Sequence, residues 1–420
     1  MAGSENEISK GAPPGLAKAE PKRELALASR SIHADDNVSA HRAVAPAMHV
    51  STTFRYSDNP DDLGYMNNQD PSAPKDSHIY SRISSPNLTR LEILLSSLLN
   101  GPSVTYSSGL SAFHALLVRL NPRRIAISAG YHGCHGVIDL VSRLSGLEVV
   151  PLDCPASDLG PGDVIHVETP LNPTGEAADL EHYAKKARES GAYLTVDATF
   201  APPPLQDPLV QGADIVMHSG TKYIGGHSDL LCGVLTVNPR LAGPDAAGGV
   251  DLHAGLLQDR IFLGSVMGNL EGWLGLRSLR TLELRVTRQS SSATSLVRWL
   301  AAEAADSSSL VSRAVDSVQH ASLQPGAEAE GSWLRRQMPG GFGPVFAIRM
   351  KEEALARALP SKLELFHHAT SLGGVESLIE WRAMTDKSVD KRLLRVSIGL
   401  EAWEDLRDDL IAGFRALLDA

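Results

Sequence analysis

From Val104 onward the chain alternates short apolar runs with helix-length segments, and this alternation limits the possible folds more than any other feature of its 420 residues. The runs Val104–Ser107, Arg124–Ser128, Glu148–Leu152, Asp163–Glu168, Tyr193–Asp197, Ala213–Ser219 and Gly233–Val237 are bounded by turn residues and read as strands. Between several of them lie helical patterns, such as Gly109–Leu120 and Asp179–Ser190. Apolar strands separated by helices predict an α/β domain with a mostly parallel, helix-covered sheet. A chain this long exceeds one ordinary core, so a second domain is expected. Residues 268–305 predict one or two long helices. Beyond them Pro344–Met350 and Leu393–Ser397 read as strands and Glu401–Leu418 as an amphipathic terminal helix, together a smaller α+β domain. The Ser-, Ala- and Gly-rich stretch 305–332 predicts no particular element. Residues 1–28 read as a flexible tail and 58–77 as a long surface loop.

Composition narrows the function. The net charge is −10, which argues against nucleic acid or an anionic membrane as the main partner. Hydrophobic residues make up 43% and charged residues 21%, the balance of a soluble globular chain. The 3 cysteines, Cys134, Cys154 and Cys232, form no CxxC pair, so neither a disulfide framework nor a structural zinc site is expected and a reducing compartment fits. No run of 18 apolar residues predicts a membrane span. The N-terminal segment has no apolar signal core and carries Glu5, Glu7 and Glu20, so a cytoplasmic location is the expectation.

In open α/β sheets, ligands bind beyond the carboxyl ends of the strands. Four such ends carry polar groups. Val104–Ser107 runs into Ser108-Gly109-Leu110-Ser111 and a helix, where backbone N–H groups could cradle an anion. A tight turn with a capping serine explains that segment equally well. Asp163–Glu168 runs into Thr169-Pro170-Leu171-Asn172-Pro173, which is either a plain Pro-Gly loop or a placement of Asn172 against a ligand. Tyr193–Asp197 ends on a carboxylate, costly to bury without a partner. It either caps a loop or pairs with a cationic ring nitrogen. Ala213–Ser219 runs into Gly220-Thr221-Lys222. A lysine in a dry, anion-lined site has its pKa lowered and can form a Schiff base. Four polar ends on one sheet edge point to a site more strongly than any one of them.

These segments resemble the Cys/Met-metabolism pyridoxal-phosphate (PLP)-dependent enzymes. Val196–Gly233 is similar to their cofactor-lysine segment. Tyr80–Asn87, Ser108–Leu110, Glu168–Thr174, Ser371–Leu378 and Arg395–Glu401 match further motifs in the family's order. The resemblance implies the aspartate aminotransferase-type architecture (fold type I): a large PLP domain around a mostly parallel seven-stranded sheet, plus a smaller α+β C-terminal domain. It divides the chain into a tail (1–28), an N-terminal arm contributing to a neighbouring subunit (29–85), the PLP domain (86–285) and the C-terminal domain (286–420). It implies that Lys222 holds PLP covalently and acts with Tyr131 in catalysis. Asp197, supported by Thr199, would meet the ring nitrogen, and Tyr131 would stack on the ring. Ser108, Gly109, Leu110, Ser219 and Thr221 would hold the phosphate, joined by Tyr80 and Arg82 from a partner subunit. Asn172, Ser371 and Arg395 would bind an amino-acid substrate. A homodimer or homotetramer with shared sites follows.

The departures concern the substrate. Tyr131-His132-Gly133-Cys134-His135-Gly136 replaces the family's Tyr-Gly-Gly-Thr turn, with Gly136 where cystathionine enzymes often have arginine and Thr370 where some have glutamate. The His and Cys of that turn are expected to shape the substrate pocket rather than to bind a metal, since further ligands at suitable spacing are missing. Glu380-Trp381-Arg382 stands where the family tends to have a His-Pro pair, and Trp381 is expected to pack. Leu372 in Ser371-Leu372-Gly373-Gly374 resembles the γ-type members rather than bacterial β-lyases, which tend to have tryptophan there, and the resemblance implies γ-elimination or γ-replacement on a homoserine-derived or sulfur amino acid. A β-lyase, a fold-related aminotransferase and a non-catalytic scaffold of the same fold are the alternatives.

Overall fold

The computed structural model describes residues 24–39, 43–63 and 78–419. Most of the expected tail and of the 58–77 loop lies outside these residues. The described part of the arm begins with helix α1 (Leu27–His33), and α2 (Pro86–Leu98) opens the large domain. There follow β1 (Ser103–Tyr106), α3 (Gly109–Leu120), β2 (Arg124–Ile127), α4 (His132–Ser145), β3 (Glu148–Pro151), β4 (Val164–Glu168), α5 (Leu180–Ser190), β5 (Tyr193–Asp197), β6 (Ile215–Ser219), β7 (Gly233–Val237) and helices α6 (Leu252–Leu263), α7 (Asn269–Leu279) and α8 (Leu282–Ala305). The smaller unit adds α9 (Leu310–Ala314), β8 (Val315–Gln319), α10 (Trp333–Gln337), β9 (Val345–Met350), α11 (Glu353–Ala358), β10 (His367–His368), β11 (Leu378–Trp381), β12 (Leu393–Ser397) and α12 (Trp403–Leu418).

The local signals that end these elements are physical. Ser108 Oγ accepts from Ser111 N–H and starts α3, while Asn121 closes it in the left-handed conformation. Asp179 caps α5 through Glu181 and His182 N–H, and Gly191 ends it. Residue 285, the expected end of the PLP domain, falls in the first turn of α8.

The large sheet has seven strands in the order β1-β7-β6-β5-β4-β2-β3. Every pair is parallel except those made by β7, which is antiparallel to both neighbours. Because β7 opposes β1 and β6 alike, β1 points the same way as β4, β5 and β6. Their carboxyl ends therefore share one edge. β4, β5 and β6 are buried along almost their whole length, as expected of strands covered on both faces. The second sheet, β10-β11-β12-β9-β8, is antiparallel apart from the short β10–β11 pair. Its core packs α8, α9 and α12 against β9 and β12, through residues such as Leu296, Phe346, Val396 and Phe414.

Candidate active site

A cavity of about 530 Å³ opens between the two sheets. From the large domain it is lined by Ser108, Gly109, Leu110, Tyr131, Asn172, Asp197, Thr199, Ser219, Thr221 and Lys222, and from the smaller unit by Ser371 and Arg395. Twelve of the fourteen sequence-derived site residues thus meet in one place. The other two, Tyr80 and Arg82, do not line the cavity of their own chain. Tyr80 is exposed, and Arg82 lies over its ring at 5.4 Å.

Lys222 follows the carboxyl end of β6, and its Nζ is 2.8 Å from Ser371 Oγ. Burial, and then the Arg395 guanidinium, push the lysine down to about 8, against the opposing pull of Glu380 and Asp197. Ser371 has φ +73°, a strained conformation for a residue with a side chain. That conformation is held from behind. Gly373 N–H donates to Ser397 Oγ, and Gln289 of α8 donates to Gly374 and Ile398 carbonyls. Gly373 has φ +78°, and a Cβ there would stand 2.9 Å from Tyr223 N, so only glycine lets this loop lie on the backbone beside Lys222.

At the end of β5, Asp197 Oδ1 accepts from Thr199 Oγ1 at 2.5 Å and from Thr199 N–H at 2.9 Å. Burial raises its pKa, opposed by these two bonds and by Lys222. Glu168, opposite Asp197 in the β4–β5 register, is raised too, by burial and then by the Asp197 charge. Glu168 accepts from Tyr131 N–H and Asn172 N–H, each at 2.7 Å, and so ties two loops to one strand end. The sequence reading gave Glu168 no role, although it closes the same apolar strand that pointed to Asn172.

At the N-terminus of α3, Gly109 fits against Ser219. A Cβ at 109 would lie 3.1 Å from the Ser219 Cβ, so glycine brings the first helical N–H groups close to the serine hydroxyl. Thr221 Oγ1 is partly engaged, accepting from Cys232 N–H at 3.0 Å. The Tyr131 ring lies against Gly133, and burial raises its phenol.

Arg395, on β12, is 5% exposed. It donates to the Ser371 carbonyl at 2.9 Å and to Asn172 Oδ1 at 3.3 Å, and it pairs with Glu380 at 2.5 Å. Glu380, Arg382 and Thr385 also line the cavity, and the sequence reading assigned them nothing. The available signal was a pair of charges at the end of the apolar run Leu378-Ile379. Trp381 packs beside the smaller core, its Nε1 donating to the Lys391 carbonyl.

One expectation needs correction. Of the His and Cys residues in the 131–136 turn, only His132 lines this cavity. Cys134 is 3% exposed and packs into the core beneath α4, and His135 lines a neighbouring cavity. The helical turn begun at His132 carries both away. Gly136 has open space where a Cβ would be, and Thr370 sits at the exposed rim.

The donors match PLP along the cavity: helix N–H groups and hydroxyls for a phosphate, a carboxylate for a ring nitrogen, and a lysine amine for the aldehyde. Fold and site together define a PLP-dependent α/β enzyme. The model of the Cys/Met metabolism PLP-dependent enzymes matches residues 28–415, and the chain belongs to that family. It is 34% identical over 351 residues to a cystathionine beta-lyase of Lactococcus lactis subsp. cremoris, covering 79% of this chain and 87% of the relative. It is 31% identical over 411 residues to a cystathionine gamma-lyase of Saccharomyces cerevisiae, covering 91% and 96%. The crystal structure of a cystathionine gamma synthase from Xanthomonas oryzae pv. oryzae, in complex with aminoacrylate and cysteine, superposes with a TM-score of 0.79 at 27% identity, over 94% of this chain and 100% of that one.

The lowered lysine carries a prediction. Only a neutral amine attacks an aldehyde, and lysine is neutral above its pKa. The rate at which PLP-free protein captures PLP, followed by the cofactor's absorbance, is expected to rise with pH around a midpoint near 8. A midpoint at the ordinary lysine value would show that the amine is not desolvated.

Proposed function

We propose that this enzyme catalyses γ-elimination or γ-replacement on a homoserine-derived or sulfur-containing amino acid. The reading rests on one observation: the Lys222 amine stands in a cavity with Asp197 at one strand end and Arg395 across the domain gap. Gly109 and Leu110 N–H groups with Ser108, Ser219 and Thr221 would hold the phosphate. Asp197, steadied by Thr199, would keep the ring nitrogen protonated, and Tyr131 would cover the ring. When bound, PLP draws electrons from the carbon bearing the substrate's nitrogen and stabilises negative charge there.

Arg395 forks the substrate α-carboxylate, with Asn172 and Ser371 fixing the orientation. Lys222 then takes the α-proton and shuttles it along the substrate. Its pKa near 8 suits an amine that must both accept and return a proton near neutrality. Ser371 Oγ, 2.8 Å away, aims the amine. Tyr131 remains protonated and serves first as an acid toward a leaving group.

Leu372 lines the cavity, and the resemblance of its segment to γ-type members of the family supports γ- over β-chemistry. The β-lyase reading stands beside it because a 34% identical relative is a cystathionine beta-lyase. Product identity separates them. Incubation with homoserine esters and thioether amino acids, with and without added thiol or sulfide, is expected to give 2-oxobutanoate or a new thioether. Pyruvate as the main keto acid would establish the β-reading.

The exposed Tyr80 and Arg82 support shared sites in a homodimer or homotetramer. Chains carrying Arg82→Ala and chains carrying Lys222→Ala should each be inactive alone. Mixed in a two-fold dimer they leave about a quarter of sites intact, so co-expression should restore a comparable fraction of activity. No restoration would place both residues in one chain's site. The free, buried Cys134, Cys154 and Cys232 support a reducing, cytoplasmic setting. Among the described residues no helix is long and apolar enough to cross a membrane.

A further inference from the structure

Glu380 stands between two guanidiniums. In the β11–β12 ladder it lies directly opposite Arg395, and its Oε2 is 2.5 Å from Arg395 Nη2. The same carboxylate is 3.2–3.3 Å from Arg382 Nη1. The three side chains are 4–6% exposed and line the cavity that holds Lys222. With Glu380 seated on Nη2, Arg395 cannot offer its full fork to an incoming carboxylate. A Glu380 displaced without another cation would be an unpaired charge in a dry site, a costly state.

Arg382 is placed to prevent that. Only its Nη1 is hydrogen-bonded, to Glu380 and, at 3.0 Å, to Thr385 Oγ1. Among the described residues its buried Nε and Nη2 find no hydrogen-bond partner, and Asp386 Oδ2 is 3.7 Å from Nη2, beyond hydrogen-bonding length. Thr385 Oγ1 also donates to Glu380 Oε1 at 2.7 Å, which tethers the carboxylate on the Arg382 side. We propose that Arg382 is a positioning residue that takes Glu380 over from Arg395 as the substrate α-carboxylate arrives, so that the buried carboxylate changes partner instead of losing one. The inference rests on the reading of Arg395 as the α-carboxylate receptor. Two other roles for Arg382 compete with it: a static structural ion pair, and direct binding of a second anion at the far end of the substrate.

Glycine distinguishes these roles, because it has an α-carboxylate and no side chain. The PLP-saturated protein is titrated with glycine and followed by cofactor absorbance. Arg382→Met is expected to weaken glycine about tenfold, and Glu380→Gln to tighten it. The double variant should bind within about threefold of Glu380→Gln alone and so tighter than wild type, whereas neutralising both members of a static pair would return binding only to the wild-type level. With a turned-over substrate, Arg382→Met should raise KM and spare kcat. Glycine binding within about twofold of wild type in Arg382→Met, or a double variant as weak as Arg382→Met, overturns the proposal. If Arg382→Met does not fold, Glu380→Gln decides: tighter binding supports the handover, and equal or weaker binding overturns it. A wild-type protein whose cofactor absorbance responds to no amino acid removes the Arg395 reading and the handover with it.

Discussion

Lys222→Ala is expected to lower turnover by roughly a thousandfold or more while the protein stays folded. Two losses combine. On the proposed reading, the substitution removes both the amine that anchors the cofactor and the base that takes the α-proton. Proton transfer by a positioned side chain is by itself worth about 10²–10⁴-fold. The environment is built for that amine: burial and Arg395 bring it to about 8, and Ser371 Oγ holds it at 2.8 Å. Little else depends on it. Among the described residues its Nζ makes one hydrogen bond, so the far-ultraviolet circular dichroism, and the thermal midpoint compared with cofactor-free wild type, should stay close to those of wild type. A rate within tenfold of wild type in steady-state assays would contradict the assignment.

Arg395→Leu is the second large effect, and it should fall mainly on KM. Arg395 is the buried cation between Ser371, Asn172 and Glu380. On the proposed reading, its removal leaves the substrate carboxylate facing Glu380 with no fork between them. Truncating one partner of a buried, hydrogen-bonded charge pair costs about 2–5 kcal/mol. At about 1.4 kcal/mol per decade, that is roughly thirty-fold to a few thousand-fold in kcat/KM. Arg395→Lys should recover little, because an ammonium is a point charge and cannot form the planar two-point contact. Recovery to within about threefold by lysine would show that charge alone matters at this position.

The large domain was legible because five of its seven strands, β1 and β4 to β7, are buried along nearly their whole length, and unbroken apolar runs are what such strands require. Tyr193–Asp197, Gly233–Val237 and Gly109–Leu120 begin and end where the pattern placed them. Three strand starts did not: β1 begins one residue early, at Ser103, and β4 and β6 begin late. Asp163 lies outside β4 because its carboxylate accepts from Arg124 and Gly160 N–H. Asp214 lies outside β6, its carboxylate accepting from Leu194 N–H. Both turn back on the chain, a use of aspartate that periodicity does not reveal. The stretch 305–332 hid α9 and β8. β8 is an edge strand, paired on one side only and buried mainly at Val315, so it shows little apolar signal.

Ser108, Asn172, Asp197 and Lys222 were legible because each lies at or just after a strand end and those ends share one edge, whereas Tyr131, Tyr80 and Arg82 came from the family resemblance alone. The rest of the substrate half was not legible, because it depends on pairing between distant strands. Only the β11–β12 register sets Glu380 opposite Arg395, and only the turn after β11 brings Arg382 back to the same carboxylate. Cys134 shows the opposite error. Sitting beside Tyr131 in sequence, it is carried into the core by the first turn of α4.

Covalent trapping tests the central claim most directly. The PLP-saturated protein is reduced with borohydride, digested, and its peptides mapped by mass spectrometry. The phosphopyridoxyl group should appear on the peptide containing Lys222 and should be absent from the Lys222→Ala protein. Label on another lysine, or no label at all, would contradict the account of this site.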